Sequence, residues 1–125
     1  MKQLLLCVTL AITLNGLAQI NHFKTPLLRH VVLFKFKDSS SLKDVQNVSE
    51  TFAHLYGKVP EVKKFEWGIN NSPEGLNEGF THCFTLTFTS EKDLANYQLN
   101  SAHKEFQKVL KPHMEKVFVV DYWVK

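Results

Sequence analysis

Apolar positions recur along this chain with two different periods, and the switches between them divide it into elements. Residues His30 to Lys37 are rich in β-branched and aromatic types, which predicts a strand. With a period of two, His30, Val32, Phe34 and Phe36 share one face; Val31, Leu33, Lys35 and Lys37 share the other. Asp38 and the serines after it break the strand. Leu42, Val45, Val48 or Ser49, Phe52 and Leu55 then follow at steps of three and four, the stripe of an amphipathic helix. Ser41 and Asp44 form a capping pair at its start, and Gly57 with Pro60 stops it. Val62 to Ile69 read as a second strand, followed by the turn formers Asn70 to Gly75. In the third strand, Thr81 to Thr89, His82, Phe84, Leu86 and Phe88 alternate with Cys83 and threonines. A short helix carries Leu94 and Tyr97. After a polar break at Asn100-Ser101, a second helical piece buries Phe106, Val109 and Leu110 and ends at Pro112. Val117 to Val124 form a last strand with almost no polar content.

The order is β-α-β-β-α-β, the split βαβ or ferredoxin-like arrangement of an α+β fold. Both helical regions then cover one face of an antiparallel sheet and leave the other bare. Phe34 and Phe36, Phe84 and Phe88, and Phe118 and Trp123 predict large apolar groups on both faces. A second copy is the simplest cover, giving a homodimer packed sheet to sheet, with Phe84 and Phe88 lining the resulting barrel.

Ahead of this domain the pattern differs. Lys2 followed by the apolar run Leu4 to Leu14, then Gly16-Leu17-Ala18, has the form of a secretory signal peptide over residues 1–18. The run is too short to span a bilayer, so the expectation is cleavage near Ala18 and a secreted or periplasmic product. Residues 19–27 read as a flexible lead-in, and 28–124 as the domain. The composition, 44% hydrophobic and 22% charged over 125 residues, suits one globular domain. The formal charge of +3 falls by one without Lys2, and the basic residues are scattered. Nucleic acid is therefore not an expected partner. Of the two cysteines, Cys7 lies in the leader, and Cys83 reads as a small core hydrophobe.

Several stretches carry a family resemblance: Leu28 to Phe36, Trp67-Gly68, Glu74-Gly75, Gly79-Phe80-Thr81-His82, Ala102 to Phe106, and Asp121-Tyr122. In their order and spacing the chain resembles the stress-responsive A/B barrel family over residues 28–124. The resemblance implies a ferredoxin-like fold that dimerises sheet to sheet into a dimeric α/β barrel. For function it implies either of two kinds of member: plant stress-induced proteins without an assigned reaction, or a plant polyketide cyclase that closes a linear tetraketide acid by aldol condensation. The chain is similar to the cyclase at His30, His82, Tyr97 and His103. It departs at Phe52, where the cyclase pocket has a tyrosine.

His30 and His82 open two strands that this topology makes adjacent, so both imidazoles are expected at one end of a shared cavity. His103 follows a helix break, where its side chain can turn inward. Imidazole titrates near neutrality, which suits proton abstraction beside a carbonyl, and Tyr97 could donate to a developing enolate oxygen. This makes His103 the candidate general base with Tyr97 beside it, and His30, His82 and Phe52 candidate substrate contacts. The alternative for each strand-end histidine is a half-buried ring bonded to a backbone carbonyl. His22, His54 and His113 read as surface residues. The histidines lack His-x-His or His-x3-His spacing, so no metal or other cofactor is expected. Backbone carbonyls at Tyr56, Val59 and Val62 are the one place where a hard cation is conceivable. The third strand lacks the basic-glycine start of RNA-recognition modules. Two readings stay open: a dimer that holds a small apolar molecule without transforming it, and a cofactor-free cyclase- or isomerase-like enzyme acting on a carbonyl compound.

Overall fold

The computed structural model describes residues 25–125. The leader expected over residues 1–18, and the lead-in as far as residue 24, lie outside the described residues. Leu27 is already tied to the domain, since its carbonyl accepts from the Val124 N–H at 2.9 Å.

Four strands, β1 (Leu28–Phe36), β2 (Lys64–Ile69), β3 (His82–Phe88) and β4 (Met114–Trp123), form one antiparallel sheet in the order β2-β3-β1-β4. This is the ferredoxin-like order. The helices are α1 (Leu42–Ala53), the short α2 (Leu55–Lys58), α3 (Glu91–Leu99) and α4 (Ser101–Leu110). At the start of α1 the Ser41 hydroxyl accepts from the Asp44 N–H (3.1 Å) while the Asp44 carboxylate accepts from the Ser41 N–H (3.0 Å). Two otherwise orphaned amides are thus satisfied reciprocally. Gly57, at φ +96°, turns the chain out of the helix in a conformation that a side chain would strain.

One face of the sheet is packed under the helices. Val32, Phe34, Phe84, Leu86 and Phe88 meet Val48 and Phe52 of α1, Leu94 and Tyr97 of α3, and Phe106 and Leu110 of α4, all buried. Each such side chain contributes roughly 1.5–3 kcal/mol through the apolar area removed from water. Leu42, placed on the buried stripe by its spacing, is instead exposed in the first turn of α1.

The two faces are not divided as the sequence reading expected. Phe34, Phe36, Phe84 and Phe88 all lie on the helix side, because residues two or four apart on a strand share a face. Phe84 and Phe88 therefore line the monomer's own core and not a barrel. The bare face is built from the alternate positions: Val31 and Leu33 of β1, Cys83 and Thr85 of β3, and Phe118, Val120 and Tyr122 of β4. It is apolar all the same, with Phe118 53% and Tyr122 48% exposed.

Candidate functional site

The site begins with a backbone break. Asn100 leaves the helical region (φ −63°, ψ 139°), ending α3, and its side chain accepts from the Ala102 N–H at 2.8 Å to start α4. The short polar side chain thus stops one helix and caps the next. The break brings Tyr97, from the last turns of α3, against His103 in the first turn of α4, with ring centroids 4.4 Å apart. Residues six apart on an unbroken helix would point to different sides. The His103 Nδ1–H donates to the Gln98 carbonyl at 3.2 Å. A carbonyl can only accept, so this bond fixes the neutral tautomer and leaves Nε2 as the free basic nitrogen. Partial burial and the nearby His30 push the imidazole below its ordinary pKa of 6.5, outweighing the opposite pull of the Gln98 carbonyl. Burial acts on Tyr97 in the other direction, holding the phenol well above its usual 10.0. Near pH 7 this yields a neutral base beside a protonated donor.

His30 of β1 completes the group. It is buried, edge-on to Tyr97 at 5.9 Å between centroids, and its Nδ1 lies 2.6 Å from Asp121 Oδ1 on the neighbouring strand. The β1–β4 register sets the two side by side, with His30 directly opposite Asp121. The carboxylate holds the ring with Nδ1–H toward β4, which makes Nε2 the remaining nitrogen. Asp121 was not among the residues chosen by sequence reasoning, although a lone carboxylate in the otherwise apolar Val117–Val124 was a usable signal.

These groups line one end of a cavity of about 550 Å³ between the helices and the sheet. Its walls are Val32 and Phe34 of β1, Phe52 of α1, Phe106 and Leu110 of α4, and Val117 and Val119 of β4. A volume of that size, mostly apolar and with a few convergent polar groups, suits a small organic molecule. Phe52 stacks on Phe106 at 4.3 Å and 8°, closing the wall with no polar atom.

The structure therefore brings His103, Tyr97, His30 and Phe52 to one cavity, and separates His82 from them. The expectation that His30 and His82 share an end is corrected by the strand pairing. β1 and β3 are antiparallel, so the residues that open them lie at opposite ends; His82 sits across from Phe34, and His30 across from Leu86. His82 is instead stacked against Trp67 (6.1 Å, 12°), edge-on to Phe36 at 5.0 Å, and bonded to its neighbour Thr81. Its pKa is also lowered by burial. At the carbonyl cluster, Val59 accepts from the Val62 N–H at 3.1 Å, so one of the three oxygens is already engaged. Among the described residues no three His, Cys, Asp or Glu side chains come together as a metal site would require.

Comparison with known proteins agrees with the fold. Residues 28–124 match the family described as Stress responsive A/B Barrel Domain. The chain is 36% identical over 95 residues to the stress-response A/B barrel domain-containing protein HS1 of Arabidopsis thaliana, covering 76% of this chain and 87% of that protein. It is 28% identical over 95 residues to olivetolic acid cyclase of Cannabis sativa, covering 76% and 94%. Among solved structures, the hydroxynitrile lyase of Passiflora edulis is similar with a TM-score of 0.74 at 31% identity, covering 79% of this chain and 94% of the lyase. A dimeric protein of ferredoxin-like fold from Bacteroides fragilis is similar with a TM-score of 0.65 at 25% identity, covering 78% and 96%. The chain belongs to the stress-responsive A/B barrel domain family.

Proposed function

We propose that this protein is an exported homodimer in which each subunit carries out proton transfer on a small carbonyl compound, using its own side chains as acid and base. The observation that carries the reading is His103: its Nδ1 is committed to Gln98, and its ring packs 4.4 Å from the buried Tyr97 in a mainly apolar cavity. In this mechanism His103 Nε2 takes a proton from the carbon beside a carbonyl, or from a hydroxyl on a carbonyl adduct. The Tyr97 O–H donates to the oxygen on which charge develops, and His30, aligned by Asp121, steadies the same oxygen or a neighbouring one. His103 then returns the proton at the end of the step. That two relatives are by name a cyclase and a hydroxynitrile lyase supports a site able to host more than one carbonyl reaction.

Pairing of two subunits is supported by the apolar bare face of the sheet and by the dimeric relative. Export is supported by the leader-like residues 1–18; the mass of the protein recovered from its producing cells tests cleavage after Ala18.

The chemistry is tested without knowing the natural substrate, by following deuterium incorporation beside the carbonyl of small neutral ketones in D2O by NMR. Exchange well above that given by free imidazole at equal concentration is the expected result. Ketones that bind in the cavity but exchange no faster than in imidazole would favour a dimer that only holds its ligand.

A further inference from the structure

The cavity is chemically lopsided. Of the residues that line it, Lys111 alone carries a permanent charge, and no carboxylate faces the space. Asp121, opposite His30 on the neighbouring strand, is occupied with that histidine. Lys111 also has no carboxylate within ion-pair distance among the described residues, whereas Lys108, one turn earlier, pairs with Glu105 at 2.7 Å.

Lys111 is exposed at the rim, and its position on the helix ties it to the cavity. The residue after α4, Lys111 keeps helical backbone (φ −51°, ψ −42°) and its N–H continues the ladder to the Gln107 carbonyl. His103, Gln107 and Lys111 are thus spaced by fours on one side of a continuous helix, and all three line the cavity. At the rise of an α-helix, the base and the lysine backbone stand about 12 Å apart along the axis. Phe106 and Leu110 lie between them on the helix, facing Val32, Phe34, Val117 and Val119 on the sheet. The sequence of chemistries along the cavity is base, apolar trough, cation.

We propose that the cavity takes an elongated amphipathic carboxylate, with the acid group at Lys111, an apolar middle in the trough, and the reacting carbonyl at His103 and Tyr97. The carbonyl end rests on the acid–base reading above; the anion subsite stands on the lining itself. Gln98 and Gln107, both exposed at the mouth, supply hydrogen bonds to polar substituents along the way.

The test compares decanoate with decanol as probes of equal chain length, titrated into the full-length protein at low salt and followed by calorimetry. Decanoate should bind about two- to five-fold more tightly than decanol, the range expected for one partly exposed ion pair. The gap should close as salt is raised. Lys111→Gln should erase the preference and Lys111→Glu should reverse it, while Lys108→Gln, which disturbs only a solvent-facing pair, should leave it intact. Equal affinities in the wild type, or a preference that survives Lys111→Glu, would overturn the subsite. Deuterium exchange on neutral ketones is measured in parallel. A wild type that prefers decanoate but exchanges nothing keeps the anion subsite and loses the acid–base reading; one that exchanges without preferring decanoate does the reverse.

Discussion

The helix-facing side of the sheet has two ends made from similar residues and put to different uses. At the β2 end, Phe34, Phe52, Phe65, Phe84 and Phe106 fill the space between sheet and α1, with Phe52 4.8 Å from Phe84 and 4.3 Å from Phe106. At the β4 end the helices stop short. Val117 and Val119 stay 46% exposed on the edge strand, across a gap from Phe106 and Leu110 of α4, and the gap is the cavity. Each end has a histidine whose pKa is lowered by burial, His82 and His103. One is sandwiched among rings, while the other has a fixed tautomer, a buried phenol beside it and room in front. Burial perturbs both imidazoles alike, so the perturbation cannot by itself mark the reactive one. Space and a fixed tautomer are what differ, since the Thr81 hydroxyl on His82 Nδ1 can donate or accept while the Gln98 carbonyl on His103 Nδ1 can only accept.

The largest expected effect lies at the open end. His103→Asn removes the free imidazole nitrogen of the ring packed nearest Tyr97, 4.4 Å against 5.9 Å for His30, and the deuterium exchange of bound ketones should fall by about 10²–10⁴-fold, the usual contribution of a positioned base. A mere tenfold loss would mean that His30, not His103, carries the proton. The packed end should respond in stability instead. Phe52→Ala empties the centre of the aromatic cluster and should cost about 3–5 kcal/mol in urea unfolding. Since Phe52 also forms a wall of the cavity, its loss should additionally broaden the ketones accepted.

Much of the fold was legible from the chain. Period-two alternation in Thr81–Thr89, the three-and-four stripe from Leu42 to Leu55, and the Asn100-Ser101 break each rest on short-range geometry; the strand and the break reappear in place, while the stripe loses Leu42 to solvent and its helix is interrupted at His54. The site was less legible because its parts meet through pairing between strands. His30 meets Asp121 only by virtue of the β1–β4 register. His30 and His82 are parted by antiparallel direction, which the order of elements already implied. Assigning Phe34 and Phe36, or Phe84 and Phe88, to opposite faces contradicted the strand period itself. The cavity left no trace in local sequence, since it arises from where α3 and α4 fail to cover β4.

A smaller effect should appear in pH profiles. Because His103 is held below 6.5, its basic form persists into mildly acid solution. Exchange should therefore climb through an ionisation lower than that of free imidazole. Because burial raises Tyr97, the rate should hold steady as pH passes 10.0, where an ordinary phenol would lose its proton. A falling limb below pH 10 would show that Tyr97 is not the buried donor described here.

The smallest effect belongs to His82 and separates the two ends most cleanly. Its folded pKa is depressed, so below pH 6.5 the unfolded chain takes up protons that the folded one resists. Stability must then decline as pH falls from 6.5 toward the depressed value, and be unaffected by this group above 6.5. His103 adds a loss of the same sign over its own window. In His82→Gln part of that acid sensitivity should disappear, measured as a smaller drop in urea midpoint between neutral and mildly acid buffer. Ketone exchange should stay within about twofold of wild type, because the ring lies on the far side of Phe34 and Phe84 from the cavity's polar end. An exchange rate that collapsed in His82→Gln would mean that the aromatic stack transmits to the cavity, and that the two ends are one site.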